Sequence, residues 1–226
     1  MIEFKDFPKM LNIEELEMHI TQKINGTGVL IHVFKGPFKK EMNDAGIDLA
    51  LTHPINDADL RRMFPNKTVK LVPSPIGNPY SFVWTQETIV MAGSQNRWLT
   101  PDDDNFGFAN FVEENKIDLI DALGEGTHYG EWAGPDIKNG EGLKEKTLFL
   151  FDWWKYDNKL EKFNGRVKTV PLLYSGKLDL SMADSIMETL KNRGSFAAEG
   201  FMDPEGIVIS FAGLRFKKVF REDKVQ

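Results

Sequence analysis

Six consecutive residues, Val29-Leu30-Ile31-His32-Val33-Phe34, limit this chain's folding choices more than any other stretch. Successive side chains of a strand point to opposite faces, so Val29, Ile31 and Val33 share one side and Leu30, His32 and Phe34 the other. A strand this apolar on both sides belongs in the middle of a sheet that is covered on both faces. Further strands are predicted over 80–91, 127–132, 147–153, 167–173, 205–211 and 214–220, with Ala212-Gly213 turning the last pair. Residues 19–35 read as a β-hairpin turning at Asn25-Gly26. Helices are fewer and irregularly interspersed. A short capped one is expected over 12–17, another over about 57–63, and a third starts at Asp102-Asp103-Asp104-Asn105 and runs to about 115 with Phe108, Phe111 and Val112 inward. The fourth spans 181–192, with Ser181 as N-cap, apolar Met182, Ile186, Met187 and Leu190, and Gly194 just past its end. Strands outnumber helices without a βαβ rhythm, which predicts an α+β fold of mostly antiparallel sheets.

At 226 residues the chain can bury a substantial core, and with no Cys it can form neither a disulfide nor a thiolate site. No apolar run reaches membrane-spanning length and the N-terminus lacks a signal-peptide core, so a soluble, cytoplasmic protein is expected. The net charge of −6 argues against a wholly basic nucleic-acid binder but leaves room for local basic grooves. Seventeen Phe and five Trp fit a dense core and exclude disorder.

Three features stand in an order that suggests chemistry. Lys23 lies at a strand–turn boundary in Gln22-Lys23-Ile24-Asn25-Gly26-Thr27-Gly28, Glu205 opens the strand Glu205-Gly206-Ile207-Val208-Ile209, and Arg215, Lys217, Lys218 and Arg221 make the last strand basic. A lysine in a partly desolvated pocket can attack the α-phosphate of a nucleoside triphosphate, expelling pyrophosphate and forming a phosphoramidate. A carboxylate can hold the divalent metal and later lysines can neutralise phosphate charge.

These residues stand in a larger set. Lys23-Ile24-Asn25-Gly26 resembles a Lys-x-Asp-Gly motif, and His128-Tyr129-Gly130-Glu131-Trp132-Ala133-Gly134 a third motif. Leu148-Phe149-Leu150-Phe151-Asp152 falls at the place of a base-stacking strand. Pro204-Glu205-Gly206-Ile207-Val208-Ile209 resembles the fourth motif and Phe216-Lys217-Lys218-Val219 the fifth. Gly93-Ser94-Gln95-Asn96-Arg97-Trp98 and Asp104-Asn105-Phe106-Gly107-Phe108-Ala109 also look like sequence of the same group. In this order the motifs resemble the phage-type ATP-dependent RNA ligases, within the covalent nucleotidyltransferases, over roughly residues 5–222.

The resemblance implies a nucleotidyltransferase (ATP-grasp-like ligase adenylation) domain of two mainly antiparallel sheets flanked by helices. It would be a single domain over 1–226, with an insertion at about 36–78 and no C-terminal OB domain. It implies Lys23 as the adenylylated nucleophile, Gln22, Ile24 and Asn25 beside the nucleotide, and Glu131 on the ribose hydroxyls. It places Phe151 on the base, or Phe149 if the register differs. Arg97 would meet a nucleotide or RNA phosphate, Glu205 the metal, and Lys217 the α-phosphate, with Lys218 or Arg215 nearby. ATP and Mg²⁺ would be required, Mn²⁺ being the alternative metal. The partner would be RNA, including nicked or DNA-containing ends, for a monomer working in the host cytoplasm if phage-encoded. The pathway passes AMP from ATP to lysine, then to an RNA 5′-phosphate, and a 3′-hydroxyl then seals the strand.

The chain also departs from the pattern. Gln22 replaces an acid, Asn25 the motif's Asp, Gly28 an Asn, and Lys138-Asn139 a Gln-Arg pair, while the usual Lys-x-Lys reads Arg215-Phe216-Lys217. A DNA ligase, an RNA-capping nucleotidyltransferase and a degenerate, non-catalytic nucleotide-binding protein are therefore the alternatives. Taken singly, Lys23 and Glu131 also read as ordinary strand residues, Glu205-Gly206 as a plain turn, and Phe149 and Phe151 as core. Lys217 and Lys218 point to opposite faces of a strand, so only one of them can enter a pocket. Lys35, Lys39, Lys40, Arg61, Arg62, Lys67 and Lys70 read equally as a path for a nucleic-acid backbone and as a solvated mixed-charge surface. The four His have no metal-ligand spacing.

Overall fold

The computed structural model describes residues 12, 15–35, 82–85, 88–156 and 158–220. The expected insertion at 36–78, its helix over 57–63 and the Lys39, Lys40, Arg61, Arg62, Lys67 and Lys70 cluster lie outside those residues, as do residues 13 and 14 of the helix expected over 12–17, whose last residue, Glu17, instead opens the first strand. In chain order the strands are β1 (Glu17–Lys23), β2 (Thr27–Lys35), β3 (Phe82–Thr85), β4 (Thr88–Ser94), β5 (Trp98–Leu99), β6 (Gly126–Ala133), β7 (Thr147–Leu150), β8 (Val167–Thr169), β9 (Leu172–Lys177), β10 (Gly206–Phe211) and β11 (Leu214–Val219). The helices are α1 (Phe108–Glu114), α2 (Lys116–Leu123) and α3 (Ser181–Arg193).

The chain divides into two compact units. One holds the residues up to Ile24 together with those from Val170 onward, and the other runs from Asn25 to Thr169. The first is a four-stranded antiparallel sheet in the order β11-β10-β1-β9. Its core is one face of that sheet, Met18, Ile20, Ile207 and Ile209, packed on Ala183, Ile186, Met187 and Leu190 of α3. The helix forms because these apolar residues recur three or four apart and make one stripe. Its start is fixed by Asp179, whose carboxylate accepts the N–H (2.9 Å) and the hydroxyl (2.6 Å) of Ser181. The N-cap position is therefore Leu180 rather than the expected Ser181, and the carboxylate at the helix start comes from Asp179 just before it. Gly194, at φ +87°, ends the helix and donates its N–H to Leu190 O.

The second unit is a larger sheet, β3-β4-β2-β6-β7-β8, with β5 added beside β4. Among the described strands only the β7–β8 pairing is parallel. Val29, Ile31, Val33, Val90, Trp132, Leu148 and Leu150 form its helix-bearing face, against Phe108, Phe111 and Val112 of α1 and Leu119 and Ala122 of α2. Asp104 starts α1 by accepting the N–H groups of Ala109 (2.7 Å) and Asn110 (3.0 Å), as the acidic run predicts. The central position expected for β2 is borne out, between β4 and β6.

Three local expectations are corrected. Residues 19–35 do not form a hairpin: β1 hydrogen-bonds to β9 and β10, and β2 to β4 and β6. Asn25-Gly26 instead carries the chain from one unit to the next. The strand expected over 167–173 is two strands in different sheets, β8 and β9, separated around Pro171. The strand over 147–153 stops at Leu150, and a 3₁₀ turn follows at Trp153–Lys155.

Candidate functional site

In the first unit, register decides which side chains meet. Lys23 pairs with Gly206, Thr21 with Val208, and Val208 in turn with Lys217. Cross-strand partners share a face, so Lys23, Lys217 and Arg215 (partner of Ser210) all lie on the side away from α3. Lys23 is the last residue of β1 and Glu205 immediately precedes β10. The Lys23 Nζ donates to Glu205 Oε2 at 2.8 Å, with both side chains largely shielded, 20% and 15% exposed. Gly206, the partner of Lys23, lies close against β11. It sits at φ +150°, and a Cβ there would lie 2.1 Å from Lys218 O, so no side chain can separate β10 from β11 at that point.

Two residues expected beside the nucleotide occupy the other face. Gln22 pairs with Ile207, is 1% exposed, and uses its amide to donate to Ser195 Oγ (2.7 Å) and to accept the Phe196 N–H (2.7 Å). Lys218 also pairs with Ile207, on the helix side, and donates to Asp184 at the start of α3. The alternation that separates Lys217 from Lys218 separates Lys23 from Gln22 as well. Ile24 is buried beyond the end of β1.

In the second unit Glu131 stands at the middle of β6. It is the direct partner of Gly28 on β2 and of Phe149 on β7, and Phe149 is the partner of Lys168 on β8. These four positions share the face away from α1 and α2. A Cβ built on Gly28 meets nothing within 4 Å, so the backbone opposite Glu131 has open space in front of it. Phe149 is 1% exposed. Phe151 follows the strand's end and donates its N–H to Tyr129 O at 3.0 Å. Of the two aromatics left open by the sequence, Phe149 is the one in register with the Glu131 carboxylate. Arg97 braces its own loop, with Nη1 donating to Asp103 Oδ2 (2.7 Å) and Asp103 O (2.9 Å).

Two residues of this unit had gone unremarked. Lys168 adds an exposed cation to the Glu131–Phe149 face. Glu141 has no exposed surface and stands at φ +48° in the turn Gly140–Gly142. Its Oε2 accepts the main-chain N–H of Asn25 at 3.0 Å, and its own N–H donates to Asn139 Oδ1 at 3.1 Å. Next to Asn25, Gly26 lies so close to β6 that a Cβ would stand 2.4 Å from Trp132 O and 2.8 Å from Glu131 Cγ. The Asn25-Gly26 turn is thus held by a carboxylate and pressed against a strand. The sequence signal for Glu141 is its place between Gly140 and Gly142, a left-handed turn that leaves one side chain to point inward.

Two of the histidines, His32 and His128, are engaged within the second unit. His128 Nε2 donates to Gly124 O (3.1 Å), which leaves Nδ1 to accept from the Tyr156 hydroxyl (2.9 Å). Burial holds the His128 imidazole below its ordinary value of 6.5, partly offset by the Gly124 carbonyl, and burial lowers His32 likewise. Burial pushes the Tyr156 hydroxyl up. Among the described residues no group of three or more His, Asp or Glu is arranged to hold a metal, and no helix is long and apolar enough to cross a membrane.

No protein-family model matches the sequence, and no curated protein is detectably similar to it. Two solved structures of an RNA ligase from Naegleria gruberi are similar in fold. A point variant carrying AMP and manganese matches with a TM-score of 0.51 at 14% identity, over 92% of this chain and 50% of that one. A structure with pyrophosphate matches with a TM-score of 0.50 at 17% identity, over 92% of this chain and 51% of that one. This chain therefore spans about half the length of that ligase. Its two sheets and three described helices make an α+β fold of the RNA ligase nucleotidyltransferase type.

Proposed function

We propose that this chain is an ATP-dependent RNA ligase of the phage-type motif set, working through a lysyl-AMP intermediate. The observation that carries the reading is the 2.8 Å pair between Lys23 and Glu205, two residues separated by most of the chain and both foreseen as site residues. The fold shared with the Naegleria ligase and that protein's AMP, manganese and pyrophosphate support it.

In this reading Lys23 Nζ, freed of its third proton, attacks the α-phosphorus of ATP. An N–P bond forms, the bond to the bridging oxygen breaks, and pyrophosphate leaves. Lys217, on the Lys23 face of the same sheet, adds positive charge for the phosphoryl oxygens, with Arg215 two residues away. Glu131 suits two ribose hydroxyls as a carboxylate acceptor, and Phe149 supplies an aromatic plane in register with it. Arg97, Asn25 and Ile24 complete the expected set, while Gln22, Lys218 and Phe151 act through packing and loop support.

Glu205 offers hard carboxylate oxygens, and among the described residues no group of three or more His, Asp or Glu is arranged around a metal site. That fits Mg²⁺ or Mn²⁺ held by one or two carboxylates plus substrate phosphates, and does not fit an all-protein cage. When bound, such an ion neutralises phosphate charge and orients the leaving group. The adenylate then passes to an RNA 5′-phosphate, and a 3′-hydroxyl displaces AMP to seal the strand, a chemistry suited to repairing breaks.

Incubation with α-labelled ATP and Mg²⁺ or Mn²⁺ tests this. Wild-type protein retains label through denaturation, Lys23→Ala retains none, and nicked or broken RNA discharges the label. A wild-type protein that takes no label, or a Lys23→Ala protein that takes as much, would refute the reading. Label from GTP would point to capping, and discharge by DNA alone to a DNA ligase.

A further inference from the structure

The loop that leads into Glu205 is tied to the strand that ends at Lys23, and the tie is made on the other side of the sheet. Alternation along β1 turns Lys23 to the face away from α3 and Gln22 to the face that bears it. Gln22 is 1% exposed, an enclosure that costs free energy unless both ends of the amide are met. Both are met. Its Nε2 donates to Ser195 Oγ at 2.7 Å, and its Oε1 accepts the Phe196 N–H at 2.7 Å. Ser195 Oγ also accepts the N–H groups of Ala197 (3.0 Å) and Ala198 (3.3 Å), and the Ser195 N–H donates to Phe201 O at 2.7 Å. Residues 195–201 thus close on themselves around the hydroxyl that Gln22 holds. Buried Pro204 and then Glu205 follow. An apolar side chain of similar size would fill the Gln22 position without partners, whereas the amide adds a directional hold on one segment.

We propose that Gln22 is a positioning residue for the Lys23–Glu205 pair: its amide clamps the 195–201 loop to the end of β1, and so delivers the carboxylate that ends this connection to the amine one residue beyond the clamp. All of these groups belong to the first unit. The backbone of Lys23 is aligned with Gly206 by the β1–β10 ladder, but Glu205 lies just before β10, outside that ladder. Where its side chain stands is set by the Phe220 N–H, which its carbonyl accepts at 3.1 Å, and by the loop that arrives from Ser195. With the clamp removed, the ladder remains and the pair loosens. The clamp is independent of the enzyme's chemistry, while its consequence for adenylylation rests on reading Lys23 as the nucleophile.

The test on the full chain is the reaction of Lys23 with acetic anhydride, read by mass spectrometry against Lys191, whose side chain is 67% exposed. Wild type, Gln22→Leu, Glu205→Ala and the double variant are compared, with thermal midpoints in parallel. Leucine keeps most of the volume and removes both hydrogen bonds. In Glu205→Ala the amine loses its partner and should react at least about threefold faster than in wild type. Gln22→Leu should approach that rate, and the double variant should match Glu205→Ala. A general loosening of the fold would instead add to the effect of Glu205→Ala. Single-turnover lysyl-AMP formation should fall about tenfold in Gln22→Leu. Ser195→Ala removes the hydroxyl at the other end of the clamp, should shift both readouts the same way, and serves if Gln22→Leu does not fold. Three results overturn the proposal: Lys23 reacting at the wild-type rate in folded Gln22→Leu or Ser195→Ala, a double variant faster than Glu205→Ala, or lysyl-AMP forming at the wild-type rate in Gln22→Leu. If wild type takes no label from ATP, the ligase reading fails by itself, and the acetylation cycle still decides on the clamp.

Discussion

Glycine does two different jobs at position 26, just before β2, and at position 28, inside it. At Gly26 a methyl group would collide with the main chain of Trp132 at 2.4 Å, and backbone cannot swing aside. Gly26→Ala should therefore cost roughly 2 kcal/mol or more, read as a fall in thermal midpoint. At Gly28 nothing lies within 4 Å of the added carbon. Gly28→Ala should fold at least as well as wild type, gaining up to about 1 kcal/mol from the less flexible unfolded chain. Gly28→Asn fits the same space, opposite Glu131. A fall in midpoint for Gly28→Ala as large as that for Gly26→Ala would show that neither position is as described. At this scale Lys23, Glu205 and Glu131 were legible because their chemistry travels with neighbouring residues in motif order. Glu141 was not, because what makes it notable is a partner 116 residues away and a left-handed turn, and neither leaves a periodic trace.

Strand β11 is where alternation is most informative. Lys217 and Lys218 are adjacent in sequence and opposite in space, Lys217 with Lys23 and Lys218 over α3. Lys217→Ala should lower lysyl-AMP formation by about a hundredfold, the scale of one lost transition-state donor. Lys218→Ala, which loses an exposed pair with Asp184, should lower it several-fold less. Rates in the reverse order would contradict the register. The strands were largely foreseeable from period-two patterning, but their partners were not. Asn25-Gly26 carries a hairpin's local chemistry, yet Lys23 closes its ladder on Gly206 and Thr27 on Trp132. Turn residues fix the bend of the chain, while hydrogen-bond partners are fixed by which distant strands offer free edges. Helix α2 escaped notice for a related reason: with Ile117 exposed at 67%, its apolar residues do not form one clean stripe.

Each unit is built around its own buried cluster, and the larger one contains a pH-sensitive element. His128 sits enclosed between the Tyr156 hydroxyl and the Gly124 carbonyl, with a folded-state pKa held below 6.5 by burial. The unfolded chain then binds the proton more readily than the folded one. Stability is full above about 6.5 and is lost as pH falls from there towards the folded-state value. Thermal midpoints should decline over that window, and His128→Gln should flatten the slope, with His32 leaving a residual one for the same reason. An unchanged slope in that variant would assign the acid sensitivity elsewhere. At the scale of the molecule, the α+β class and the mainly antiparallel pairing were readable from strands that outnumber helices, and the number of sheets, two, from the resemblance. The division into units was not, because both crossings, at Ile24 and at Thr169, look like ordinary turns.

One feature of the smaller unit reaches beyond architecture. Strand β1 is made long before its two neighbours, β9 and β10, and its last residue pairs with Gly206. Ladders closed over such separations are slow to assemble, and here they cannot be completed before residue 206 has been made. The Lys23 amine is thus kept without the Glu205 carboxylate until that point, and under the proposed ligase reading a polypeptide stopped before it would be unable to trap ATP in a dead-end adduct.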